Sequence, residues 1–196
     1  MKWLIRLLIL VVIVGSAWMG LTFYVDQKST LHRVYQAVEN PKGQVLILYH
    51  HDRIYDFGKR AGLALITGAQ KENWSSTLST YAFDSMMGEV NLSAFDKIIM
   101  LTNVYNWRPD SEFMQWVEQH AAELKQKKVG VFVLGAGSTN EARRIAYAKL
   151  KSTGATIGFT KSLWLWRPND DLKLDDPNLQ VAEDVAREQL VHFLRQ

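Results

Sequence analysis

Two runs in the middle of the chain are apolar at nearly every position, and they limit the folds open to it. They span Lys97–Leu101 and Val129–Leu134. A strand that faces solvent on one side alternates polar and apolar residues, whereas a central parallel strand, covered by helices on both faces, does not. Between the two runs, residues 110–126 place apolar or aromatic side chains at helical spacing: Phe113, Trp116, Val117, His120 and Leu124. The pattern predicts an α/β protein.

The remaining periodicities extend this alternation along the chain. They predict strands at 44–50, 79–84, 96–102, 128–134 and 155–160, and helices at 54–67, 110–126, 139–153 and 180–195. Right-handed crossovers place the turns that follow the first, third and fourth strands at one edge of the sheet. We therefore predict a doubly wound five-stranded parallel sheet with a single crevice.

The N-terminal stretch from Leu7 to Val25 contains no charged residue. It is long enough to cross the hydrocarbon core of a bilayer as a helix. Gly15-Ser16-Ala17 would suit a cleaved signal peptide, but the apolar run continues well beyond these small residues. We expect a retained, single-pass transmembrane helix.

The chain is accordingly divided into an anchor at 1–28, a stalk at 29–43 and the α/β domain at 44–196, with helical character over Thr30–Glu39. The basic residues flanking the span slightly favour an extracytoplasmic domain, and the absence of cysteine suits a bacterial cell-membrane protein. The net charge of +3 is spread along the chain, which gives no sign of nucleic-acid binding. A redox partner or another membrane protein is the expected partner.

The loop that leaves the first strand is placed where open α/β sheets bind ligands. Its candidate binding residues are His51, Asp52, Arg53, Ile54 and Tyr55. Asp52 and Asp56 would repel a phosphate if they pointed inward, and the loop has no Ser, Thr or Gly. A metal site at His50-His51 is disfavoured because adjacent residues leaving a strand point to opposite faces.

The segment Phe95–Trp107, followed by Ser111–Val117 and His120, resembles the flavodoxin-like family. The nearest resemblance is to the flavodoxin-type protoporphyrinogen oxidases, which have an acidic residue before a hydrophobic strand, a loop against the flavin ring and then a helix with this aromatic pattern. The resemblance covers most of residues 44–196. It implies an FMN cofactor, with phosphate on the first loop, and electron transfer or flavin-dependent oxidoreductase chemistry at the membrane.

The same resemblance assigns the flavin ring to the second and third loops. The implied contacts of the second loop are Asn103, Val104, Tyr105, Asn106 and Trp107, with Tyr105 and Trp107 stacking on the ring. In the third loop, Gly135, Ala136 and Gly137 would let the backbone approach it, and Ser138 or Thr139 would cap the next helix.

Two points stay open in the sequence. Flavodoxins usually hold the phosphate with hydroxyl side chains and glycine, which the first loop lacks, so the alternative is a flavodoxin-like domain that has lost its cofactor and acts as a membrane-associated interaction or accessory module. The aromatic segment Ser162–Pro168 would follow the last strand. It would cover a ring in the crevice, enter a membrane interface, bind a partner or pack under the final helix.

Overall fold

The computed structural model describes residues 2–25, 32–35, 38–50, 55–80 and 90–196. The helices are α1 (Lys2–Val25), α2 (Phe57–Lys71), α3 (Ser111–Gln119), α4 (Ala121–Leu124), α5 (Asn140–Ser152) and α6 (Asn178–Arg195). The strands are β1 (His32–Tyr35), β2 (Gln44–Tyr49), β3 (Ser75–Thr80), β4 (Lys97–Tyr105), β5 (Arg108–Pro109), β6 (Lys128–Gly135) and β7 (Thr156–Trp164).

The strands form one sheet in the order β1-β3-β2-β4-β6-β7. Neighbours from β3 to β7 are parallel, and β4 lies between β2 and β6 with Ile99 opposite both Ile47 and Gly130. The chain thus reverses its direction of winding beside β2 and β4, which is the switch point at which such sheets open a crevice. The predicted doubly wound parallel sheet is confirmed.

Side chains alternate between two hydrophobic layers, as the period of two in a strand requires. On one face, Ile47, Ile99 and Phe132 pack with α2 and α6, and on the other, Leu48 and Met100 pack with α3, α4 and α5. All five are essentially inaccessible to solvent. The central strands are therefore buried on both faces, which explains why their sequences do not alternate.

A buried lysine joins the sheet to the last helix at the edge away from the crevice. Lys97 Nζ donates hydrogen bonds to the carbonyls of Phe193 at 3.0 Å and Leu194 at 2.6 Å, near the C-terminal end of α6. These carbonyls have no partner within the helix, so the ammonium group caps it. Burial lowers the pKa of Lys97, with Lys128 acting in the same direction.

Four predicted elements differ from the structure. Residues 32–35 form strand β1, not part of a helix, because they pair antiparallel with β3 and extend the sheet before Gly43. The second parallel strand is Ser75–Thr80, earlier than the predicted 79–84, of which residues 81–84 lie outside the described part. The helix predicted at 110–126 is broken at His120, and β7 continues to Trp164, so Ser162 belongs to the strand. Tertiary pairing overrides local propensity in each strand.

Candidate functional site

A cleft opens at the carboxyl ends of the parallel strands. Its lining comes from the carboxyl ends of β4 and β6 and from the segments that follow β2, β6 and β7: Tyr55, Phe57, Asn103, Val104, Tyr105, Leu134, Gly135, Ala136 and Leu165. Apolar and aromatic side chains form most of this wall, and Asn103 supplies a polar side chain. This composition is typical of sites for planar organic ligands.

The first turn of α2 forms one end of the cleft and lies directly against the end of β2. A Cβ on Gly58 would be 2.2 Å from the carbonyl oxygen of His50, so a side chain at this position cannot be accommodated without movement of the backbone. Asp56 occupies the N-cap position with φ of 51°, and its carboxylate lies 3.3 Å from Lys59 Nζ and makes no capping hydrogen bond. The amide groups at the helix start consequently have no capping side chain from Asp56.

The second loop is a tight hairpin between β4 and β5. Its two turn residues, Asn106 and Trp107, both have positive φ, at 49° and 64°. Type I′ turns have this geometry, and asparagine followed by glycine is the preferred pair. A tryptophan in the left-handed region costs about 1–2 kcal/mol. The turn also directs Trp107 into solvent, where 70% of it is exposed, and away from the cleft.

A buried polar cluster lies beneath this hairpin. The carboxylate of Asp110, the N-cap of α3, accepts hydrogen bonds from the Phe113 amide and the Thr102 hydroxyl, both at 2.7 Å. Burial raises the pKa of Asp110, although His50 and these two donors oppose the effect. His50 Nδ1 is 4.0 Å from Glu112 Oε2. The cluster fixes the end of β4, and with it Asn103 and Tyr105.

The third loop is held to β7 by a hydroxyl pair. The buried Thr139 donates to Ser162 Oγ at 2.6 Å and accepts from the indole of Trp164 at 3.1 Å. Thr139 is the N-cap residue of α5 but makes no side-chain cap, so the predicted capping role of its hydroxyl is wrong. A Cβ on Gly137 would meet nothing within 4 Å, which leaves the backbone of this loop open to a ligand.

The predicted site residues fall into three groups. Tyr55, Asn103, Val104, Tyr105, Gly135 and Ala136 line the cleft; Asn106, Trp107 and Gly137 are outside its wall; and His51, Asp52, Arg53 and Ile54 lie outside the described residues. Sequence reasoning missed Phe57, Leu134 and Leu165. The strand order could have indicated Leu134 and Leu165, because the end of β7 must reach the same edge of the sheet as the ends of β4 and β6.

The aromatic segment that ends β7 reaches this edge as well. Leu165 enters the cleft wall, while Trp166 remains 68% exposed and meets the Tyr55 ring edge-on, with 6.3 Å between ring centroids. Among the described residues, no group of three or more His, Cys, Asp and Glu side chains is arranged to hold a metal ion.

Comparison with known families agrees with this geometry. The model of the flavodoxin domain family matches residues 71–170, about half of the chain. The chain belongs to the flavodoxin domain family. The match includes β3, β4, β6, α5 and β7, and therefore the part of the cleft lining that lies between Asn103 and Leu165. No curated protein matches the sequence.

Solved flavodoxins share the fold at low sequence identity. A flavodoxin from the domain Archaea is 12% identical with a TM-score of 0.55, covering 78% of this chain and 99% of its own. The two-electron reduced flavodoxin of Megasphaera elsdenii is 17% identical with a TM-score of 0.54, covering 74% and 98%. The flavodiiron core of Flv1 from Synechocystis is also 17% identical, with a TM-score of 0.56, covering 82% of this chain and 36% of its own. These similarities establish the fold.

Helix α1 precedes the flavodoxin domain and is exposed along its length. It is long and apolar enough to cross a membrane, and none of it is buried against the rest of the chain. Trp3 lies near one end, with Trp18 and Tyr24 near the other. Aromatic residues at both ends are typical of transmembrane helices, whose interfaces they occupy. Helix α1 is therefore a candidate membrane span.

Proposed function

We propose that the cleft binds the ring of a flavin, FMN in the form expected of a flavodoxin, and that the chain takes part in redox chemistry as a membrane-anchored protein. The observation that carries the proposal is the cleft itself, with aromatic and aliphatic walls and one amide side chain at the switch point of a flavodoxin sheet. Bound flavin would supply one- or two-electron transfer, while the protein orients it and sets its environment.

Tyr105 is the residue we assign to the flavin ring. It is half-buried in the cleft wall, and its hydroxyl accepts a hydrogen bond from Asn103 Nδ2 at 3.3 Å. This contact and the edge-on packing of His50 against the ring, with 6.3 Å between centroids, hold the phenol in place. A preorganised aromatic side chain loses little entropy when a ligand stacks on it. Tyr55 and Leu165 would close the other sides of the ring site.

The phosphate end of the cofactor is the less familiar part of the proposal. The start of α2 offers backbone amides and the positive end of the helix dipole to an anion. Asp56 would oppose it, but its carboxylate pairs with Lys59. The absence of Ser, Thr and Gly from 51–56 favours the second candidate function, a cofactor-free flavodoxin domain that serves as an interaction or accessory module at the membrane.

Titration of the purified full-length chain with FMN separates the two candidates. If the proposal is right, flavin fluorescence is quenched at saturation and the melting temperature rises with FMN concentration. A parallel titration with riboflavin, which lacks the phosphate, measures how much the phosphate contributes to binding. Equal affinities for FMN and riboflavin would mean that the protein does not bind the phosphate. No binding of either flavin at saturating concentration would contradict the flavin proposal and leave the accessory module.

Two aromatic variants test where the ring lies. Tyr105→Ala is expected to weaken flavin binding by about 2- to 13-fold, since an aromatic contact contributes about 0.5–1.5 kcal/mol. Trp107→Ala is the matched control, because this side chain lies next to the same loop but points into solvent. Its affinity should equal that of the wild type. An effect of Trp107→Ala alone would mean that the ring is bound on the outer side of the hairpin.

The finer form of the proposal is an oxidoreductase similar to the flavodoxin-type protoporphyrinogen oxidases. Its support is the resemblance of the segment from Phe95 to His120 and the apolar span at the N-terminus. Oxidation of protoporphyrinogen by the flavin-loaded chain in a membrane, measured by porphyrin fluorescence, is the direct assay. Flavin binding without turnover would restrict the function to electron transfer.

A further inference from the structure

We propose that the crevice edge of the sheet lies on the membrane surface, with Trp107 and Trp166 embedded among the lipid headgroups. The crevice would then open toward the bilayer and not toward bulk water. This inference concerns the orientation of the domain on a lipid surface. It does not depend on whether the cleft binds flavin.

The topology of β1 brings the chain into the domain at this edge. Strand β1 is antiparallel to β3, and its first residue, His32, is opposite Ser79 near the carboxyl end of β3. Only residues 26–31 separate the end of α1 from His32. A fully extended chain spans at most about 3.3–3.6 Å per residue, so His32 lies within about 25 Å of Val25. The chain that follows α1 therefore enters the sheet at the crevice edge, within about 25 Å of Val25.

The last turns of α1 also lie beside the crevice loops. The indole nitrogen of Trp18 is 3.4 Å from Asn106 Oδ1. A groove joins Trp18, Leu21 and Thr22 of the helix to residues at the crevice edge: Tyr55, Val104, Tyr105, Asn106, Ala136 and Trp166. Tyr24 lies at the interfacial end of the span, and Trp18 lies about 10 Å further into it along the helix axis. The crevice loops consequently lie beside the end of the span that is nearer to the domain.

The same tripeptide occurs twice at this edge. Trp107-Arg108-Pro109 follows β4 and Trp166-Arg167-Pro168 follows β7, in loops from two non-adjacent strands. The two tryptophans are 70% and 68% exposed, and both arginines are exposed. Tryptophan is enriched at membrane interfaces, where a neighbouring arginine pairs with anionic lipid headgroups.

The backbone at Trp107 supports a role outside the fold. Trp107 has φ of 64° in a turn where glycine would be unstrained. An unfavourable conformation that presents a bulky side chain to the exterior points to a contact made there. Membrane contact would offset the cost of the turn.

The natural absence of cysteine allows a direct test with single spin labels. Full-length Trp107→Cys and Trp166→Cys variants are labelled and reconstituted in vesicles with and without phosphatidylglycerol. Val12→Cys, in the middle of α1, is the control for the hydrocarbon core, and Lys125→Cys, exposed just before β6 at the opposite edge, is the control for water. Collision rates with oxygen and with a water-soluble nickel chelate report the depth of each label.

Labels at 107 and 166 should be intermediate between the two controls, with less access to the chelate and more to oxygen than the label at 125. Labels at the neighbouring Arg108→Cys and Arg167→Cys should repeat the result if a cysteine disturbs either tryptophan position. Chelate access equal to that at 125, or removal of α1 during maturation, would overturn the proposal. Shielding from both reagents would also overturn it, since it would indicate a protein partner in place of lipid.

Discussion

Gly58 offers the sharpest test of the crevice geometry. A Cβ at this position would lie 2.2 Å from the carbonyl oxygen of His50 and 3.3 Å from its carbonyl carbon. Both atoms belong to backbone at the end of β2, so a rotamer change cannot relieve the contact. Gly58→Ala therefore requires the start of α2 to move by roughly 1 Å, given an ordinary C···O separation of about 3.3 Å.

The net effect of Gly58→Ala on the free energy of unfolding follows from two opposing contributions. Overpacking typically costs about 1–3 kcal/mol. Alanine recovers up to about 1 kcal/mol through its higher helix propensity. We expect a net loss of about 1–2 kcal/mol, which corresponds to a fall in melting temperature of about 2–8 °C for a domain of this size. If the start of α2 holds an anion, FMN affinity should fall as well.

Gly137→Ala is the matched control in the third loop. A Cβ there would contact nothing within 4 Å, and Gly137 is not among the glycines with positive φ. The substitution should be neutral or stabilise the fold by about 0.4–1 kcal/mol, because it reduces the entropy of the unfolded chain. Thermal unfolding of both variants in the same detergent, followed by circular dichroism, makes the comparison. A Gly58→Ala variant that melts with the wild type would refute the close contact between α2 and β2.

Two further predictions concern buried charges. Burial raises the pKa of Asp110, so the folded state holds the Asp110 proton more tightly than the unfolded state does. The contribution of Asp110 to the free energy of unfolding is therefore fully present below about pH 4 and is lost as the pH rises through the pKa of the folded state. Asp110→Asn should remove that decline. Urea unfolding from pH 4 to 8 measures the free energy of unfolding of both proteins, and a difference between them that stays constant with pH would contradict the prediction. Lys97→Met should cost about 1–3 kcal/mol by leaving the Phe193 and Leu194 carbonyls unsatisfied. The same substitution at the exposed Lys71 should change stability by less than about 0.5 kcal/mol, and equal effects at the two lysines would disprove the capping role.

The parts of the fold that could be predicted are those set by local burial. Ile98 to Leu101 and Val129 to Leu134 are covered on both faces, and this requirement is written directly in their composition. The amphipathic pattern of Phe113, Trp116 and Val117 likewise identified the buried face of α3. Strand β1 was not predictable in this way, because its conformation comes from pairing with β3, which is distant in the sequence.

The candidate site was predicted at the level of loops but less well at the level of side chains. Tyr105 and Trp107 are equivalent in the sequence as aromatic residues of one loop. The left-handed turn at Asn106 and Trp107 separates them, since it leaves Tyr105 in the cleft wall and turns Trp107 outward. Leu165 joined the site because β7 extends further than its apolar run suggested. Such directions depend on turn dihedrals and strand register, which composition does not specify.

Local patterns of apolar residues were enough to predict the apolar N-terminal helix and the central strands buried between helices. The edge of the sheet that receives the chain after α1, and the aromatic side chains that enter the crevice, were set by the tertiary structure. Those features arise from pairing between distant segments and from individual backbone angles, so they appear only when the whole sheet is assembled.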